Sequence, residues 1–161
     1  RAWNATNGIA DSRYDVSRDN ALTLLGNFNI GIDFSDFLSF DVRYSGQYNN
    51  NDSASRGNPY YGGNAGSGFL SKSISTNMSQ NFLQMLKYNR SFGNHNVEAF
   101  VAHESTENKF TNINAAAQNA ILPNTLDLGQ YTIPFGRADS YSTGSTLESY
   151  FAQVNYSFNQ R

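Results

Sequence analysis

The sequence contains no cysteine. Disulfide frameworks, thiolate nucleophiles and Cys-ligated zinc are therefore all excluded, although cysteine-free chains occur in every compartment. Histidine is nearly as scarce, with only His95 and His103 present. No Gly-x-Ser-x-Gly elbow or comparable motif accompanies them, so neither has the partners of a nucleophile-and-base pair, and two histidines alone make a poor metal site. The chain is expected to be no enzyme and to carry no cofactor and no metal. Charge is sparse as well: 15% of residues are charged, 11 basic against 13 acidic for a net −2, spread without a basic stripe. Nucleic-acid binding is excluded on that ground, and so is a typical soluble surface of interspersed Lys and Glu. Finally, no run approaches the roughly 20 apolar residues of a membrane-spanning helix, and Arg1 to Asp11 lack the apolar centre of a signal peptide. A membrane location would have to be reached with strands.

What the chain has in quantity is aromatic: 14% of its 161 residues, with 10 Tyr and 12 Phe. Such a composition does not suit disorder. The aromatic and aliphatic residues recur with period two. Leu22, Leu24, Phe28, Ile30, Ile32 and Phe34 alternate with Thr23, Asn27, Asn29, Gly31 and Asp33, which spells a strand. After a short turn at Ser35-Asp36 the alternation resumes, with Leu38, Phe40, Val42, Tyr44 and Tyr48 opposite Ser39, Asp41, Arg43, Ser45 and Gln47.

A polar stretch from Asn49 to about Asn77, broken by Asn58-Pro59 and Gly62, Gly63, Gly66 and Gly68, reads as a long loop. The glycine run lacks the Gly-Lys-Ser/Thr ending of a phosphate loop, and no helical pattern follows it. A third strand runs from about Gln80 to Phe92, with Phe82, Leu86, Tyr88 and Phe92 on a face that Gln84 and Arg90 interrupt. Gly93-Asn94 makes the next short turn. In a fourth strand Val97, Ala99 and Val101 oppose Glu98, Phe100 and Glu104. From Ser105 to about Ser145 the pattern dissolves into a second long loop, apart from a helix-compatible stretch at Asn114 to Ile121. Glu104 and Glu107 fall at the strand end leading into it, where they are expected to face water or a general cation. The last strand spans Leu147 to Phe158, and the chain stops at Arg161 inside the next turn.

Short and long connections thus alternate along an antiparallel up-and-down series of five long strands. That order places every short turn at one rim and every long loop at the other, as in outer-membrane barrels with periplasmic turns and extracellular loops. Phe34, Phe37, Tyr88, Phe92, Tyr156 and Phe158 all lie beside short turns, where an aromatic girdle meets the membrane interface. The expected fold class is all-β, part of a transmembrane barrel wall touching outer-membrane lipid. Two other readings fit the periodicity: a soluble or surface-attached β-sandwich that binds glycans, and a small non-transporting barrel or adhesin. On the first long loop, Tyr60 and Tyr61 are candidates to stack on a substrate while Asn58 and its neighbours hydrogen-bond to it.

Three turn-flanking segments resemble the SusC-like (SusC/RagA) family of TonB-dependent outer-membrane transporters. Ile32-Asp33-Phe34-Ser35-Asp36-Phe37-Leu38 is similar to the family's strand ending, turn and aromatic-Leu restart. Leu86 to Val97, reading Leu-Lys-Tyr-Asn-Arg-Ser-Phe-Gly-Asn-His-Asn-Val, looks like its Tyr-Asn-Lys-Thr-Phe-Gly turn followed by His-Asn-Leu. Ser149 to Phe158 is similar to a recurrent strand, with Ala152 and Gln153 in place of Gly and Arg.

The resemblance implies importation of an oligosaccharide or oligopeptide across the outer membrane of a Gram-negative bacterium, with a SusD-like surface lipoprotein closing over the loops. It also implies a barrel of roughly 22 strands, a plug domain and a TonB-contacting segment. Neither of the last two patterns occurs in residues 1–161, so the chain is expected to be a partial barrel and to meet TonB only through parts not present here. Within such a barrel, Asp41, Arg43, Glu98 and Glu104 would line the lumen near the plug.

Overall fold

A computed structural model describes residues 8–159. A short helix, α1 (Gly8–Tyr14), precedes six strands: β1 (Val16–Ser35), β2 (Leu38–Gly57), β3 (Phe69–Phe92), β4 (His95–Ala120), β5 (Tyr131–Pro134) and β6 (Asp139–Phe158). They form one antiparallel up-and-down sheet in the order β1-β2-β3-β4-β5, with β6 also paired to β4. Five long strands are present as expected; the second two-residue turn falls where the sequence places it, at Gly93-Asn94, and the first lies one residue beyond the expected Ser35-Asp36, at Asp36-Phe37, because Ser35 still belongs to β1. Gly93 takes φ +62°, the left-handed value a two-residue hairpin turn asks of glycine at its first central position. A further turn begins at Asn159; its expected continuation to Arg161, like residues 1–7, lies outside the described residues.

The strands are much longer than the alternation alone suggests. β2 continues to Gly57 and β3 starts at Phe69, so the first long connection shrinks to residues 58–68. Likewise β4 runs on to Ala120 and β6 begins at Asp139. The helix-compatible stretch from Asn114 is therefore strand as far as Ala120. There the backbone of β4 is held by β5, in the register Ala117↔Pro134, Gln118↔Ile133 and Ala120↔Tyr131, and such tertiary pairing outweighs the helix propensity of three alanines. Period two vanishes in these extensions because both faces of the sheet carry polar side chains there.

By contacts the chain divides into two units. The first comprises the chain through Leu22, Asn49–Thr76 and Phe110–Thr143, the strand ends joined by the long connections. Its small core is Leu70, fully buried, with Ala117 and Tyr131, flanked by Ala120, Leu126 and Leu128. Burying one Leu side chain contributes about 1.5–3 kcal/mol, and here it fastens residues 121–138 onto the ends of β3 and β4. The Phe69 and Phe135 rings meet edge to face at 5.1 Å beside it. The second unit comprises Thr23–Tyr48, Asn77–Lys109 and the chain from Gly144, the strand ends joined by the short turns. It has scarcely any buried apolar side chain; Phe28, Ile30, Ile32, Phe34, Val101, Tyr150, Val154 and Tyr156 are all exposed.

Candidate functional site

Cross-strand contacts assign the faces of the sheet. Asp41 forms an ion pair with Lys87, and Asn81 Nδ2 donates to Glu104 Oε1 at 2.6 Å and to Thr106 Oγ1 at 2.9 Å. Successive strand side chains point to opposite faces, so odd positions of β1, β2, β3 and β6 share one face with even positions of β4. Asp41, Arg43, Glu98 and Glu104 all fall on this polar face. Lys87 and Asn81, which the sequence reading leaves out, are what binds Asp41 and Glu104 there. Arg43 and Glu98 are exposed, and Glu98 borders an open polar groove of about 600 Å³ that Asn89, Ser91, Asn96, Ser157 and Asn159 also line.

Two aromatic residues interrupt the polar row. Phe100 and Phe151 meet edge to face, with ring centroids 6.1 Å apart, so each covers the other's apolar surface. Glu104 and Glu107 sit mid-strand in β4 and not at its end. Three residues apart, they point to opposite faces, and Glu107 accepts instead from Gln80 Nε2 at 3.2 Å. They do not form a carboxylate pair.

The other face carries the apolar rows and, near the short turns, the six expected rim aromatics. Phe34 stands exposed on β1. Phe37 packs edge to face on Tyr88 at 5.8 Å, and the Arg90 guanidinium lies 4.8 Å from the ring centroids of both Phe37 and Phe92. His95 fits between Tyr156 and Phe158, its Nδ1 2.6 Å from the Tyr156 hydroxyl oxygen. His103 stacks on Tyr150 and has Glu148 3.6 Å from its Nε2. His95 is thus held by aromatic neighbours and His103 by an aromatic ring and a carboxylate, with no serine or threonine among these contacts. Among the described residues no group of three His, Asp or Glu is placed to hold a metal ion, and no helix is long and apolar enough to cross a membrane.

In the first unit, residues 58–61 form a tight knot. Asn58 is only 4% exposed. Its backbone N–H and its Nδ2 both donate to Asp15 Oδ1, at 2.8 and 2.6 Å, while its Oδ1 accepts from the backbone N–H groups of Tyr60 and Tyr61 at 2.9 and 3.2 Å. Arg56 Nη2 donates to the Tyr14 carbonyl at 3.1 Å. These bonds set Tyr14 edge to face with both Tyr60 and Tyr61, at 5.7 and 6.1 Å. The three expected contact residues therefore come together, but with different exposure: Asn58 is committed to holding the knot, Tyr61 is half-buried and Tyr60 is 55% exposed. Asp15 and Tyr14 carry no sequence signal that would have tied them to this knot, since they lie more than 40 residues upstream.

Further along, burial raises the Tyr131 phenol above its ordinary value, opposed by the positive charge of Arg56. Its hydroxyl donates to the Thr125 carbonyl at 3.3 Å.

No protein-family model matches the sequence, and no curated protein matches it in sequence. The fold matches the RagAB peptide transporter. That structure is 17% identical with a TM-score of 0.84 over 92% of this chain. The RagAB peptide importer in its "open-open" state gives 17% identity and a TM-score of 0.81, and in its "closed-closed" state 15% and 0.76, each over 92% of this chain. In all three cases the chain spans 17% of the length of the matched chain. These structural neighbours are transporters, not enzymes.

Proposed function

We propose that this chain is a section of the wall and rim of an outer-membrane β-barrel in a SusC-like TonB-dependent importer, within a longer polypeptide that supplies the remaining strands, the plug and the TonB-contacting segment. The observation that carries this reading is the exposed apolar face. Phe28 is 58% and Val154 70% exposed, and among the described residues no second layer covers either. In water such a face would drive association. Against hydrocarbon it is the stable arrangement, because a closed sheet satisfies its backbone internally and turns its apolar side chains to lipid. A water-filled lumen on the other side suits the paired polar residues.

On this reading Asp41, Arg43, Glu98 and Glu104 line the lumen, where Asp41–Lys87 and Glu104–Asn81 hold adjacent strands together. Phe34, Phe37, Tyr88, Phe92, Tyr156 and Phe158 form the girdle at the periplasmic interface. The long connections lie outside the cell beneath a SusD-like lipoprotein, with Tyr60 and Tyr61 offered to the cargo from a knot that Asn58 fixes. We infer an oligopeptide as the cargo, since the matched structures are of a peptide transporter, with an oligosaccharide as the competing class.

The test is to insert an epitope after Gly63 in the intact protein, in its own bacterium. Antibody labelling of unbroken cells, recovery with the outer membrane, and uptake of labelled oligopeptide that stops when the proton gradient is collapsed are the expected results. Recovery in the water-soluble fraction would sink the barrel reading and favour the β-sandwich. Uptake of oligosaccharide in place of peptide would reassign the cargo alone.

A further inference from the structure

Among the described residues, the aromatic rim of the apolar face has an arginine set into it. Arg90 is two residues from the end of β3 and exposed, with its guanidinium carbon 4.8 Å from the ring centroids of Phe37 and Phe92. Both contacts are electrostatic attractions to ring faces, and neither occupies an N–H donor. Arginine carries five such donors and no acceptor. Among the described residues the Arg90 side chain makes no hydrogen bond and no ion pair, whereas Lys87, three residues earlier on the polar face, has Asp41.

The strand side chains that share its face near the short turns, Phe34, Leu38, Phe40, His95, Val97 and Phe158 among them, include no carboxylate. The two phenylalanines hold the guanidinium in place, so little side-chain freedom would be lost when an acceptor arrives. A planar donor group so held matches the oxygens of a phosphate. Depth agrees: a cation at the middle of the bilayer is costly, but one at the interface costs little.

We propose that Arg90, braced by Phe37 and Phe92, binds the phosphodiester group of a phospholipid in the leaflet adjoining the short turns. This rests on the reading of the apolar face as lipid-facing, and the site would fix the depth of the wall in the membrane. Its test uses the intact protein, purified in detergent and titrated with phosphatidylglycerol or with diacylglycerol, which lacks the phosphate, under native mass spectrometry.

The apparent Kd of the first phosphatidylglycerol adduct should rise about fivefold in Arg90→Gln, with part of the affinity kept in Arg90→Lys and diacylglycerol retention unchanged in both. An unchanged phosphatidylglycerol Kd in Arg90→Gln, or an equal loss of diacylglycerol, would overturn the site. A Phe158→Trp variant reconstituted with brominated lipid separates this from the underlying reading. Quenching of the new indole together with an unchanged Kd removes the phosphate site and leaves the lipid-facing wall. Absence of quenching removes both.

Discussion

Replacing Phe28 with arginine puts the lipid-facing assignment under the greatest strain. The apolar row of β1 runs from Leu22 to Phe34, about 12 residue steps, or roughly 40 Å at 3.3 Å per residue. At a strand tilt near 40° it would cross about 30 Å of bilayer, somewhat more than the roughly 25 Å apolar band of an outer-membrane barrel. Phe28 stands at the midpoint of that row and is 58% exposed, with its side chain on the face opposite Asn29. An arginine at the midplane costs about 2–4 kcal/mol, falling towards zero at the interfaces. Relative to Phe28→Ala, then, Phe28→Arg should lower the folded-to-unfolded ratio in lipid vesicles by about thirtyfold to several hundredfold, at about 1.4 kcal/mol per tenfold. The assay is guanidinium-dependent folding of the intact protein into vesicles, read by the gel mobility of the unheated protein. Asn29→Arg, one residue away on the polar face, should stay within about 0.5 kcal/mol of wild type. Equal losses at positions 28 and 29, or no loss at either, would refute the assignment of faces.

Leu70→Ala should cost about 2–4 kcal/mol of local stability, seen as faster protease cleavage within residues 121–138 while the strands stay protected. Asn58→Ala removes one of the two bonds that Asp15 accepts, the backbone N–H of residue 58 keeping the other, and takes the Asn58 acceptor from two backbone N–H groups; at about 1–3 kcal/mol for each unsatisfied buried group, amide exchange at Tyr60 and Tyr61 should quicken by at least tenfold. For Tyr131 the folded-state pKa is raised, so the stability it lends is fully present below its unfolded value and disappears as pH climbs through the higher folded one. Cleavage within 121–138 should therefore accelerate at alkaline pH in step with phenolate absorbance, and a Tyr131→Phe variant should lose that pH dependence.

The sequence reveals those parts of the fold in which one face meets a different environment from the other. Between Leu22 and Tyr48 the two faces differ so sharply that strand, turn and side-chain direction all follow from period two. Beyond Asn49, and again beyond Ser105, polar side chains occupy both faces, and the same backbone pairing leaves no trace in the pattern. The extension of β4 through Ala115, Ala116 and Ala117 was further masked by helix propensity, and only its pairing with β5 and the burial of Ala117 against Leu70 and Tyr131 account for it. The knot at Asn58 was partly legible. Asn58-Pro59 marks a turn, but its partner Asp15 lies 43 residues upstream, beyond any local signal.

The interruptions of the pattern follow the same logic across strands. Read along β3 alone, Arg90 is an error in an apolar row, and along β4 alone Phe100 is an error in a polar one. Across the sheet each is placed: Arg90 lies over Phe37 and Phe92, and Phe100 meets Phe151, the aromatic interruption of the polar row on β6. The paired contacts also keep one parity along the strands, from Ser91–Asn96 beside a short turn, through Asn81–Glu104, to Asn112–Ser73 beyond. No added or missing residue has slipped the register between β3 and β4. A one-residue slip would turn every later side chain to the opposite face, so the residue count along the two strands, and not hydropathy, decides which polar side chains pair.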